Sequence, residues 1–453
     1  MAAVTFGVAG AAAQDSVTLE EALDRAHRFN PTYLRALQEE SLSEPERRRA
    51  FGAFLPSLEL STGTGAGFSR RTIAEDVFGN PVPNPEVRTA YTSQAQQAVS
   101  FSLTLFQGGS RFHDLRSAGA QAELRLSQGD LARVALRAAV TGAFLDAQEA
   151  QAMVEVEEAL LVTRRRDLEA TERLFALAEG GRADVLGARF EVRQQERAVE
   201  DAGGTLRQAL STLRTAMGDP GAVPQGVVPA ELPFFDPGTV MVDELLAGAL
   251  DGSPRLRREE SNLTVARANL AASRAGRWPT LSLSGSTSRS AFAPDQDALF
   301  DLSPRDQTGG GLSLNLSVPV FRRFETSFQI AQAEVNAQNA TETVRETRLQ
   351  LEEDIRNAHL ELETAYRAVR LEEESLELAE ERVRIAREEY RLAGRTFDQL
   401  QEPIRAEAAA RRQLLQARYA FARAHLALEE ALGMPLETGA VGSADAPSSS
   451  SRR

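Results

Sequence analysis

The chain has 453 residues, 42% of them hydrophobic but only 6% aromatic, and its wealth of Ala, Glu and Arg suits long helices better than a thick core. A formal net charge of −14 would repel phosphates and excludes nucleic acid as a partner. There is no Cys, which removes a thiolate metal site, a thiol nucleophile and a lipid-bearing cysteine, and fits an envelope protein that needs no disulfide.

Residues 1–15 are small and apolar up to Ala11-Ala12-Ala13-Gln14 and read as a signal-peptide remnant or flexible N-terminus, although no positive n-region precedes them. No apolar run reaches the ~18 residues of a membrane helix. The first repeat, 16–218, opens with a helix from Leu19 to Ala53, where Pro31 is a candidate break and Pro56 the end. A strand is predicted over 56–63, with Leu58 and Leu60 alternating with Ser57, Glu59 and Ser61. Thr64 to Gln97, rich in Gly, Pro and Asn, reads as an exposed loop. A second strand, 98–106, carries Val99, Phe101, Leu103 and Leu105 against Ser100, Ser102 and Thr104. A long helix over 110–179, a tip and a return helix over 184–217 follow. Asp219 to Thr239 holds five Pro, and 219–241 is the linker between halves.

The second repeat, 242–433, follows the same plan: a helix to Arg277, strands over 279–287 and 311–319 with a loop from Gly285 to Gly310, a long helix over 322–393, and a return helix over 398–432. Residues 434–453 read as a disordered tail. The long helix has no Pro or Gly before Gly394, and three lines of residues recur along it every seven positions. One is Ile355, Leu362, Val369, Leu376, Val383 and Tyr390. The next is mostly small: Leu351, Ala358, Ala365, Glu372, Ala379 and Ala386. The third is Leu371, Leu378, Ile385 and Leu392. A seven-residue period makes helices supercoil left-handedly, and a third line well round the helix predicts a neighbour on each flank.

The halves are a tandem repeat. A shift of 215 maps the first line onto Val140, Ala147, Val154, Leu161, Leu168 and Phe175; a shift of 223 maps Leu281 onto Leu58. Strands of ~9–11 residues with hydroxyls on one face have the length and alternation of tilted membrane β-strands. Aromatics flank them: Phe51, Phe54, Phe106, Trp278 and Phe321 on the helix side, and Phe68, Tyr91, Phe292 and Phe300 on the loop side. Four strands cannot close a barrel and lipid tolerates no open edge, so spanning strands require several chains to pool.

The order helix, strand, strand, very long helix, tip, return helix, given twice over Ser16 to Gly433, resembles the TolC-type outer-membrane efflux proteins. Its local marks are Leu-Pro-Ser-Leu-Glu-Leu at 55–60, Phe106-Gln107-Gly108-Gly109, Asp184-Val185-Leu186, and the closing Ala-Leu-Gly at 431–433. The resemblance implies a mainly α chain with membrane β. Four strands per chain would enter a trimeric 12-stranded β-barrel, continued by a periplasmic α-barrel of coiled-coil hairpins. It implies a homotrimer in outer-membrane lipid that reaches into the periplasm and meets a periplasmic adaptor and an inner-membrane transporter. The function it implies is a passive efflux or type I secretion duct, with no enzyme activity and no cofactor. A non-conducting coiled-coil scaffold of the envelope is the rival.

The family constricts its helical barrel near the tips. Its Tyr, Arg and Asp match Tyr390, Arg395 and Asp184, and two further acidic positions fall on Gln399 and Glu402, so one acid is replaced. Adaptors dock at the tips, here Gly180, Gly181, Arg182, Gly394 and Thr396, although the family's own tip glycines are replaced by Ala178 and Ala393. The same residues have plainer roles open to them: Asp184 as a helix cap, Arg395 as a turn residue, Tyr390 as one more step of the heptad line. Elsewhere, His27, His113, His359 and His425 lack metal-ligand spacing, Gly309-Gly310-Gly311 precedes a strand rather than opening a phosphate loop, and the Glu352-Glu353-Asp354 and Glu372-Glu373-Glu374 runs read as solvated helix faces.

Overall fold

A computed structural model describes residues 16–75, 78, 81–177, 181–293, 307–392 and 396–436. The expected signal remnant and the tail beyond Leu436 lie outside them. The chain divides into two units, one of residues 42–123 and 260–342, the other of the remainder.

The first unit is built on a four-stranded antiparallel sheet: β2 (Ser57–Glu75), β3 (Pro81–Gln107), β5 (Thr280–Ala293) and β6 (Gln307–Ser317), in the order β2-β3-β5-β6. The strands outrun the expected lengths. Residues 64–97, expected as a loop, are instead ladder nearly throughout: Thr64 faces Ala95, Phe68 faces Tyr91 and Ile73 faces Glu86. Likewise β5 and β6 pair from Thr287↔Gly310 to Ser290↔Gln307, inside the second expected loop. The physical reason is that Gly63, Gly65, Gly67, Gly309, Gly310 and Gly311 carry no side-chain signal, while their backbone groups join the ladder as well as any others.

At the strand-to-helix corner, Gly108 has φ +59, and a Cβ there would lie 2.5 Å from the Ala275 carbonyl oxygen. The equivalent corner of the second half is made without glycine, by Arg323 and Phe324 at φ 48 and 66. Helix α3 (Ser43–Gly52) precedes β2, and Phe54 packs edge-on to Phe112 at 5.1 Å with the Arg111 guanidinium over its ring.

The second unit is helical. Its elements are α1 (Leu19–Phe29), α2 (Pro31–Glu40), α5 (Arg182–Met217), α6 (Val242–Gly252) and α9 (Phe397–Leu432), with most of α4 (Ser110–Ala176) and α8 (Glu325–Arg391) and the first turns of α7 (Pro254–Ala275). The single helix expected over 19–53 is three, and the one expected over 242–277 is two. One break in each precedes a proline, at Asn30-Pro31 and Ser253-Pro254, because Pro disfavours the α conformation in the residue ahead of it; the other break in the first, at Ser41-Leu42, precedes no proline. Asn30 both ends α1 and caps α2, its Oδ1 accepting the Thr32 and Tyr33 amides at 2.9 and 3.0 Å. Asn30 also donates to the Ala216 carbonyl at 2.8 Å, which fixes the first helices to the end of α5.

The two halves of this unit carry matching cores. Val140, Phe144 and Ala147 of α4 pack with Leu213 and Met217 of α5; Ile355 and Leu362 of α8 pack with Leu428 and Leu432 of α9. The first two heptad lines of α8 are thus interior. The third is not: Leu371, Leu378, Ile385 and Leu392 are 63%, 67%, 46% and 71% exposed. Between the halves the Pro-rich segment lies on the helices. Its strand β4 (Gly226–Val227) pairs with β1 (Ser16–Val17), the Val227 amide donates to Gln151, Gln148 donates to the Ala230 carbonyl, and Phe234 and Phe235 stack around Phe421. No helix of the described residues is long and apolar enough to cross a membrane.

Candidate functional site

The helix starts beside the two tips are built alike. At α5, the Asp184 carboxylate accepts the Gly181 amide at 3.1 Å; at α9, Gln399 Oε1 accepts the Thr396 amide at 3.0 Å while Thr396 Oγ1 takes the Gln399 amide at 3.4 Å. These positions differ by 215, so the repeat extends to the capping box, with a carboxylate in one half and a one-carbon-longer amide in the other. Both Asp184 and Gln399 therefore work as caps. Arg182 is the exposed first residue of α5. Gly180, Gly394 and Arg395 lie outside the described residues.

Tyr390 joins a small apolar cluster of Val383, Ala386, Leu400 and Ile404, its ring edge-on to Phe397 at 6.5 Å. Burial raises its phenol pKa and the Asp184 carboxylate adds to the rise, while a hydrogen bond with Thr171 works against it. Asp184 thus acts on the Tyr390 phenol through its charge. Glu402 is separate and exposed, ion-paired with Arg382 at 3.2 Å.

Nearby runs a polar seam that the sequence reading missed. The α4 line Leu136, Ala143, Ala150 is buried and apolar, but its continuation at the same spacing is Glu157, Arg164 and Thr171, all equally buried. Glu157 takes Arg412 of α9 at 2.9 Å and Gln195 of α5; Arg164 donates to Gln401 at 2.6 Å and lies 3.6 Å from Glu191, which also pairs with Arg405. Burial works to raise the Glu157 pKa, but hydrogen bonds from Arg412 and Gln195 hold it below the usual carboxylate range. Burial lowers Arg164 and raises Asp167, whose partner Arg387 is 3.6 Å away. The signal was in the heptads, where three polar residues replace three apolar ones on one line.

In the sheet unit the register sorts the side chains into rows. Leu58, Phe101, Gly285 and Leu312 face one another across all four strands, and Leu103, Leu283 and Leu314 form the same kind of row. On the other face the row is Ser57, Ser102, Ser284 and Ser313, with hydroxyl pairs at 3.2 and 2.8 Å. Leu58, Leu60, Leu312 and Leu314 are 63–77% exposed, an apolar surface that water does not tolerate at this size. From Leu58 to Phe68 is ~33 Å of strand, or ~25 Å of height at a ~40° tilt, the height of a hydrocarbon band, with one polar row, Thr62, Gln97, Arg289 and Thr308, on the same face. Phe51, Phe106, Trp278 and Phe321 are exposed near the helix end and Phe68 at the far end.

A membrane-height sheet joined to long heptad hairpins, given twice, defines the class: a two-repeat protein of the bacterial outer membrane. Residues 22–219 and 245–434 match the family model described as outer membrane efflux protein, and the chain belongs to that family. It is 28% identical over 334 residues to protein CyaE of Bordetella pertussis, covering 72% of this chain and 65% of the relative. It is 22% identical over 347 residues to nodulation protein T of Rhizobium leguminosarum, covering 76% of this chain and 72% of that one. The fold matches the Campylobacter jejuni CmeC outer membrane channel with a TM-score of 0.74 at 16% identity, over 92% of this chain and 85% of that one.

Proposed function

We propose that three copies of this chain pool their sheets into one closed barrel of twelve strands and form a passive outer-membrane duct for efflux or type I secretion. The observation that carries it is a sheet with leucine rows on one face, hydroxyls on the other, and both edges, β2 and β6, without a partner strand among the described residues. Lipid accepts that sheet only when its edges are closed, and then the hydroxyl face lines the lumen. The third heptad line of α8 supports the same assembly, since a neighbouring hairpin would cover it. A periplasmic adaptor at the tips and an inner-membrane transporter complete the path, and the transporter supplies the energy, so the duct performs no catalysis.

Asp184, Tyr390 and Arg395 latch the tips, with Glu402 lining the opening. The side-chain oxygen of Asn accepts a hydrogen bond from the Gly181 amide as the carboxylate does, so Asp184→Asn removes the charge and keeps the capping contact. The purified protein should run as an SDS-resistant trimer and conduct in planar bilayers, and Asp184→Asn should raise its conductance severalfold. A protein that stays water-soluble without detergent and never conducts is a scaffold instead.

A further inference from the structure

Among the described side chains, the hydroxyl face of the sheet carries one charge. Over its described side chains the rows read Thr104, Ser282, Asn315; then Ser57, Ser102, Ser284, Ser313; then Glu59, Ser100, Ser286, Gly311; then Ser61, Ala98, Ser288, Gly309. Glu59 is the only ionisable residue among them. It is exposed, and neither a hydrogen bond nor an ion pair holds it among the described residues, whereas Glu402 at the tip is paired with Arg382. Arg289 belongs to the opposite face, in the row of Thr62, Gln97 and Thr308.

We propose that Glu59 is an ion-selectivity determinant of the sheet segment: in the closed barrel, one copy per chain sets a ring of negative charge among these neutral, hydroxyl-rich rows and makes the segment prefer cations. This rests on the conduit proposed above. A carboxylate with no counter-charge in its own row or the described rows beside it recruits one from the passing solution, and rings of one sign favour the opposite ion. The hydroxyls of Ser57, Ser102 and Ser100 around it are neutral and compensate nothing.

Reversal potentials across a planar bilayer with a salt gradient test this. Glu59→Gln should lower the cation-to-anion permeability ratio about twofold near 0.1 M salt and about fivefold near 0.01 M, where screening is weaker. Ser100 faces Glu59 directly on the adjoining strand. Ser100→Glu added to Glu59→Gln should therefore restore the preference, because charge at that level matters and not the fold around residue 59. Unchanged selectivity in a conducting Glu59→Gln channel, or no rescue by Ser100→Glu, overturns the role of Glu59 and leaves the conduit standing. A wild type that never conducts overturns the conduit, and this role with it.

Discussion

Single residues make sharp demands where the two halves turn. Gly218 and Gly433 end the return helices in the left-handed region, at φ +69 and +73. A Cβ on Gly218 would meet the Asn30 Cα at 2.7 Å and the Phe29 carbonyl oxygen at 2.8 Å, both unyielding backbone, whereas on Gly433 it would meet the Pro254 Cδ at 3.1 Å. Gly218→Ala should cost about 2–3 kcal/mol and Gly433→Ala about 1 kcal/mol. The order of the two melting temperatures checks this. His425 is buried against Phe235, and burial lowers its pKa while Glu429 pulls the other way. A histidine kept neutral by the fold binds its proton more readily when unfolded. Its contribution is therefore present above the ordinary histidine pKa and is lost progressively as pH falls from there through the lowered value in the fold. Melting should weaken between about pH 7 and pH 5 in the wild type, and less so in a His425→Gln variant.

At the scale of elements, the polar seam is the part of the helical unit most open to test. Glu157→Gln strands Arg412 in a half-buried place and should cost about 1–3 kcal/mol. Asp167→Asn should be neutral or mildly stabilising, because a pKa raised by burial means the fold disfavours that charge. Chemical denaturation of the two variants side by side separates these outcomes. Much of this scale was legible in the sequence. The heptad lines named the buried residues Ile355, Leu362 and Val369, and constant offsets exposed the repeat. The glycine-rich halves of β2 and β6 were not legible, because a strand without side-chain contrast is specified by its partner alone. The seam escaped because Glu157, Arg164 and Gln401 are polar residues whose burial depends on a helix more than 200 residues away, as the 237-residue separation of Arg164 and Gln401 illustrates. At the tips, Asp184 and Tyr390 were placed by resemblance, and the packing of Tyr390 with Val383, Ala386, Leu400 and Ile404 is one that spacing along α8 alone does not announce.

For the whole molecule, everything turns on how β2 and β6 are closed. Within one chain they are separated by β3 and β5, so their backbones lie ~14 Å apart and no disulfide can join them. In a pooled barrel, β6 of one copy lies beside β2 of the next. The chain has no native Cys, so any covalent link comes from introduced thiols alone. The most direct measurement is a panel of double variants with Ser57, Ser61 or Gly63 changed to Cys together with Ser313, Asn315 or Ser317 changed to Cys. The variants are oxidised in intact outer membranes and resolved under denaturing, non-reducing conditions. At least one combination should give a ladder of one, two and three chains that stops at three. A panel that yields only single chains, or a ladder that stops at two or runs past three, contradicts the closed trimeric barrel.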